Sequence, residues 1–402
     1  MLDYCIEWLG LLFRWLHIIT GAAWIGASFY FNWLNHSLRP PEEEKERISG
    51  ELFAVHGGHF YQVNKYDGAP ETLPKTLHWF KWEAYFTWIT GIALLMIVYY
   101  WNARLYLIDS EVYDFTPLGA VSTGIGFLIG GWIIYDQLCK SALIKSPKVF
   151  TFLGISLLVG AAFALSQLFG GRAAYIHFGA MLGTMMAANV FFVIIPNQRI
   201  MVDAMIAGET PDTSLGDAGA LRSLHNNYFT LPVLFIMISN HFPQTFGHQW
   251  NWAVLVALSL IGVTARHYFN LKHKGKEQPW LLPAAALGMI ALAVAIQPRS
   301  TYQNGHIAHS GSQPPSVQFS EIMPILEKRC QPCHASKPNF MGFSEPPQGI
   351  IYEDPKVIQA LAPKIKIQAV DQHIMPPGNL TKITDEERAL LGQWIEAGAP
   401  ID

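Results

Sequence analysis

VFTFLGISLLVGAAFALSQLF (149–169) and, three residues later, AAYIHFGAMLGTMMAANVFFVII (173–195) contain no Asp, Glu, Lys or Arg. A bilayer core takes about 20 mostly apolar residues per helix, so each stretch is long enough to cross one. Working outward, further apolar stretches fall at roughly 8–34, 82–101, 116–136, 228–243, 251–271 and 280–297. The stretch at 228–243 is short and carries Pro232. The expectation is an all-α bundle of about eight transmembrane spans over residues 1–297, surrounded by membrane lipid. Composition agrees: 14 % of residues are charged and 51 % hydrophobic, where soluble chains carry about 25 % charged residues. Mean hydropathy is +0.21. The net charge of −3 says little about partners, but no basic block suggests nucleic acid, and no nucleic-acid partner is expected. The N-terminal MLDYCIEWLG has acids where a leader would be basic, so the first stretch is expected to be a retained helix.

Loop charge sets the orientation. One alternate set of loops holds 14 Lys and Arg, among them Arg39, Lys140, Arg199, Arg222 and Lys272; the other holds 3, Arg104, Arg172 and Arg299. Cationic loops stay cytoplasmic, so both termini are expected on the outer side, and whatever follows residue 297 is expected to be extracytoplasmic.

After Ile296 the composition changes. Residues 298–317 are polar and rich in Gly, Pro and Ser, which reads as a linker. Residues 318–402 have the composition of a soluble domain and contain CQPCH at 330–334. C-x-x-C-H is the covalent attachment pattern of c-type haem. Cys330 and Cys333 would carry the thioether bonds and His334 would bind iron axially. A zinc site is the bland alternative, and it would require further Cys or His nearby; His373 is the one candidate. FSEIMPILEKR leads into the motif as an amphipathic helix. TDEERALLGQWIEAG forms a second, with Thr384 and Glu387 as its capping box. Helices at both ends of a short haem domain resemble a class I cytochrome c. That resemblance implies a methionine as second axial ligand. Met375, in HIMPPGN, is favoured over Met323, which lies within the first helix, and Met341, seven residues past His334.

Ionisable residues inside spans are candidate functional groups. His17, His177 and His241 fall in the outer half of the bundle; His56, His59, His78, His225 and His267 fall toward the cytoplasm. Arg14, Glu83 and Asp136 are the other such groups. For any lone histidine the plain reading is a hydrogen-bonded packing residue. As a pair, His17 and His177 are candidates for a haem b held between facing helices.

Three segments carry a family resemblance: HGGHFYQVNKY with TLHWFKWEAYFTWITG (56–91), YIHFGAMLGTMMAANVFFVIIPNQ (175–198) and RSLHNNYFTLPVLFIMISNHFP (222–243). Together with the terminal CQPCH they resemble the bacterial membrane-bound urate hydroxylases, urate oxidases fused to a cytochrome c. The resemblance implies oxidation of urate to 5-hydroxyisourate in purine catabolism. Electrons would pass to the fused cytochrome and on to a downstream cytochrome c or terminal oxidase. It also implies a multi-pass protein of the bacterial inner membrane with a periplasmic C-terminal domain. The runner-up is a quinol-linked membrane cytochrome c electron-transfer protein.

Under that reading the substrate is expected in the bundle, because residues 318–402 are too few to enclose both a haem and a purine pocket. The expected wall is His56, His59, His78, Arg222, His225, Asn226 and Asn227. Arg222 would pair with the urate monoanion, the Asn amides would match its mixed donor–acceptor edge, and a neutral His would take a proton. The plain alternative makes Arg222 a positive-inside anchor and the Asn pair a helix cap.

Overall fold

The computed structural model describes residues 2–43, 46–68, 70, 73–297, 317–340, 343 and 345–401. Met341, Arg299 and nearly all of the 298–317 linker therefore lie outside the described residues.

The expected apolar stretches are helices. Among the described residues, six are long and apolar enough to cross a membrane: α1 (Tyr4–Ser37), α2 (Trp82–Tyr100), α3 (Pro117–Lys140), α4 (Pro147–Leu168), α5 (Gly171–Ile206) and α7 (Asn251–His273). Two of the eight expected spans do not meet that description. The stretch at 228–243 is the second half of α6 (Thr213–Ile238), whose first half is polar and holds Arg222. The last is α8 (Leu281–Ala295), only 15 residues long.

Local chemistry sets the helix starts. Thr116 accepts from the Gly119 amide at 3.1 Å and Pro117 follows, the preferred order of an N-cap and a first-turn proline. Pro196 interrupts α5. Proline offers no N–H to the preceding turn, and residues Asn189–Ile194 just before it widen into a π-turn. Such bulges re-aim side chains; here Asn189 is fully buried.

The all-α expectation takes one amendment: the molecule is 71 % helix but 5 % strand. The connection after α1 is an antiparallel hairpin, β1 (Ile48–His56) with β2 (His59–Tyr66). Its turn, Gly57–Gly58, has φ of +59° and +78°, a two-residue geometry that glycine adopts without strain.

Among the described residues two large cores form, beside a small cluster of Ala84, Val190 and Ile195. Tyr99, Leu128, Leu165, Phe169, Tyr175, Phe178, Met181 and Leu255 pack the bundle centre around α5. Ile322, Leu326, Ile358, Leu391 and Trp394 pack a second unit built from α9 (Phe319–Arg329), α10 (Pro355–Ile365) and α11 (Asp385–Glu396). Thr384 caps α11 in a reciprocal box with Glu387, as expected.

The second unit rests on one end of the bundle through the loop around Met375. Ile374 packs against the bundle core. Asn379 Nδ2 donates to Glu111 Oε1 at 2.6 Å. Gly378, at φ +53°, comes so close that a Cβ there would stand 2.7 Å from the Ile108 carbonyl oxygen.

Candidate functional site

The Cys330–His334 segment is one helical turn: the amides of Cys333 and His334 donate to the Cys330 carbonyl at 3.2 and 2.9 Å. His334 Nδ1 is 3.0 Å from the Ile350 carbonyl. A carbonyl only accepts, so the proton sits on Nδ1 and Nε2 keeps its lone pair, the arrangement of a metal-binding histidine. Burial, with Cys333 beside it, pushes the Cys330 thiol up to about 12. Burial also raises Cys333 and holds His334 below its ordinary value, partly offset by the Ile350 carbonyl.

Met375 packs, partly buried, against the core of this unit. Its amide donates to the Gln368 carbonyl at 2.9 Å, and its carbonyl accepts from Arg388 Nη1 at 2.9 Å. Arg388 is 2 % exposed and also donates to the Ala369 carbonyl. Its Nε and Nη2 have no partner. A haem brings two propionates, which are acceptors of the kind these orphaned donors lack. The donor set of two thiols, one free imidazole nitrogen and one loop thioether fits haem c. No group of three or more His, Cys, Asp or Glu that could hold a metal ion occurs among the described residues. Met323 packs on the core from within α9.

The bundle contains a cavity of about 560 Å³ between α1, α2, α5 and α6. Arg14, His17, Tyr99, Asn240 and His241 line one part of it; Trp24, Ile25, Met186 and Thr230 line another. His17 Nδ1 lies 3.0 Å from both the Thr87 carbonyl and Thr90 Oγ1. The carbonyl fixes the proton on Nδ1 and leaves Nε2 as an acceptor. His177 is not in the cavity wall. It is fully buried, its Nδ1 donates to the Ala173 carbonyl at 2.8 Å and its Nε2 meets Tyr100 Oη at 3.2 Å.

The residues expected to form the inner substrate wall occupy four places. His56 and His59 flank the hairpin turn, paired and exposed. His78 is exposed, edge-on to Phe80 at 4.5 Å. Arg222, His225 and Asn226 join a network inside the bundle. Arg222 Nη2 meets Asp136 Oδ1 at 2.7 Å, and Nη1 donates to Asn189 Oδ1 at 3.1 Å. Asn189 Nδ2 donates to Asn226 Oδ1 at 2.8 Å and to Tyr135 Oη at 3.1 Å. Tyr135 Oη is 2.9 Å from His225 Nδ1. Asn227 faces elsewhere, accepting from Arg266 Nε at 2.8 Å. Sequence reading missed Asn189, Tyr135 and Arg266. Arg266 was visible as the one Arg within the 251–271 stretch.

Long apolar helices compatible with a membrane, a second docked unit and a largely apolar cavity with a few polar groups in its wall define a helical membrane-type protein with an added domain. The family model for Urate oxidase N-terminal matches residues 3–297, and the chain belongs to that family. The family points to urate chemistry and to an oxidoreductase. No curated protein and no solved structure matches.

Proposed function

We propose that the bundle oxidises urate to 5-hydroxyisourate and that residues 318–402 form a c-type cytochrome receiving the electrons. The observation that carries this reading is the family match over 3–297 joined to a C-terminal unit whose Met375 loop is seated on that same domain. Urate and water yield 5-hydroxyisourate, two protons and two electrons. Haem c, when bound, takes up one electron at a time, so turnover needs a relay or two sequential steps. Cys330, Cys333, His334 and Met375 would hold it, and Arg388 would face its propionates.

A haem b in the bundle, a candidate from the sequence, is one such relay. Of the two histidines expected to hold it, His17 lines the cavity with Nε2 free, and His177 is engaged on both nitrogens. His241 lines the same cavity and is the better-placed second ligand.

The docked end of the bundle comprises Ile108–Val112, Gly170–Arg172 and Phe246–Asn251. These loops are poor in Lys and Arg, which supports an extracytoplasmic cytochrome in the periplasm of a bacterial inner-membrane protein. A downstream cytochrome c or terminal oxidase then takes the electrons. The cavity favours a second reading, quinol oxidation, because its wall is largely apolar. Product analysis separates the two. Anaerobic turnover in ¹⁸O-labelled water with an excess of oxidised cytochrome c should yield labelled 5-hydroxyisourate and two reduced cytochromes per urate. Quinone as the sole oxidised product would favour the runner-up.

A further inference from the structure

Arg266 on α7 is 4 % exposed, and among the described residues no carboxylate lies within salt-bridge range of it. Its Nε donates to Asn227 Oδ1 at 2.8 Å, and its guanidinium lies over the Phe29 ring at 4.1 Å. Its Nη2 has no partner. Arginine only donates, so Asn227 must turn its oxygen to Nε, and Asn227 Nδ2 is left unmatched. One turn along α7, Asn270 Oδ1 accepts from Asn32 Nδ2 at 2.8 Å, and Asn270 Nδ2 is likewise unmatched. Asn227 and Asn270 are 5 % and 4 % exposed.

Every orphan in this cluster is an N–H donor, and one belongs to a full positive charge. Burying an uncompensated cation is costly, and natural structures pair such groups or give them a ligand. Arg222, buried to the same extent, has Asp136; Arg266 has nothing comparable. The missing partner is an anion rich in acceptors. The aromatic face of Phe29 against the guanidinium suits a flat one.

The geometry points to Arg266, Asn227 and Asn270 as the group that binds the purine monoanion, with urate's carbonyl oxygens and ring nitrogens meeting the three orphaned donors. This rests on the urate reading above. The 560 Å³ cavity reaches Ile25 and Thr230, each one helical turn from Phe29 and Asn227, although the cluster's own residues are not in the cavity wall. A polar line also leads from the helix ends to the cluster: His36 and His273, with rings 6.3 Å apart, then Asn32 and Asn270, then Arg266. That line opens on the Lys-rich side, where purine breakdown inside the cell would deliver the anion.

The test is equilibrium binding of radiolabelled urate to the full-length, haem-loaded protein, reduced beforehand with dithionite so that no turnover occurs. Wild type should bind one urate per chain. Arg266→Ala should bind about a hundredfold more weakly, as expected when one side of a buried charged contact is removed. Arg266→Lys should recover about tenfold of that loss, since lysine keeps the charge without the planar fork. Arg266→Ala could fail to fold, so Asn270→Asp is the decisive variant. It gives the buried arginine its own counter-charge, so the thermal midpoint should hold or rise while urate binding disappears. Wild-type binding in Asn270→Asp, or in a folded Arg266→Ala, would overturn the assignment and leave the urate reading intact. No urate binding by wild type would sink the urate reading itself.

Discussion

Arg222 and Asp136 form an ion pair at 2.7 Å inside the bundle, and the other carboxylate oxygen of Asp136 meets Lys140 at 2.6 Å. The guanidinium also sits over the Tyr135 ring at 4.9 Å. With its charge already matched, Arg222 serves as a tie between α3 and α6. Removing one partner strands a buried charge. Asp136→Asn should lower stability by about 3–5 kcal/mol, read as a drop in thermal midpoint in detergent. The double variant Asp136→Leu with Arg222→Met should lose much less and should leave the KM for urate near wild type. A large KM increase in a well-folded double variant would return Arg222 to the substrate wall.

Met375 is held at both backbone groups, by Gln368 and Arg388. Methionine ligation raises a haem potential. Met375→Ala should abolish the long-wavelength sulfur-to-iron charge-transfer band and lower the potential by on the order of 100 mV, a fraction of the ~0.8 V span that axial ligands command. Met323→Ala should change neither. The reverse result in a redox titration would move the ligand off the docking loop.

Much of this arrangement was legible in the chain. The charge-free runs at 149–169 and 173–195 are α4 and part of α5 because apolar length alone decides a span. CQPCH marks its own turn, and Thr384 with Glu387 marks the start of α11. The hairpin's signal is Gly57–Gly58 between two β-prone runs, a short pattern that is easily lost in the long polar connection between two apolar helices. The polar half of α6 hid its continuity across Arg222 to Ile238. The inner site failed to resolve for a different reason. Sequence places Arg222, Asn226 and Asn227 within two turns, but the choice of neighbour, Asp136 for one and Arg266 for another, depends on which helices pack beside α6.

Gly378 brings the two units together by having no side chain. Gly378→Val would drive a Cβ to 2.7 Å from the Ile108 carbonyl, in a left-handed conformation that β-branched residues resist. Haem incorporation and urate binding should persist, while urate-driven reduction of the haem should slow by about tenfold or more, because transfer depends on docking distance and orientation. Stopped-flow reduction rates with and without the substitution measure this. An unchanged rate would mean that the Met375 loop is not the electron entry point.

Asp109 lies in the docked cleft with Arg172, His373 and Gly378. Burial pushes its carboxyl up from the ordinary 3.8, against the Glu111 amide that favours the charged form. A carboxyl raised in the folded protein adds stability below pH 3.8, and that contribution is lost as pH rises through the raised value. At neutral pH the ionised group therefore works against the folded state. Asp109→Asn should raise the thermal midpoint at about pH 7 and narrow the difference between about pH 4 and pH 7. An identical pH dependence in variant and wild type would show that Asp109 does not titrate at the contact.

The central claim is that urate gives its electrons to the haem at Cys330–His334 through the bundle. The direct measurement is anaerobic rapid mixing of the purified, oxidised full-length protein with urate, following the haem c absorption bands. Reduction should appear without added mediator, saturate with urate and vanish in Asn270→Asp, while xanthine, one oxidation level lower, leaves the haem oxidised. A haem that stays oxidised with urate but is reduced by a quinol would contradict the claim and establish the quinol-linked alternative.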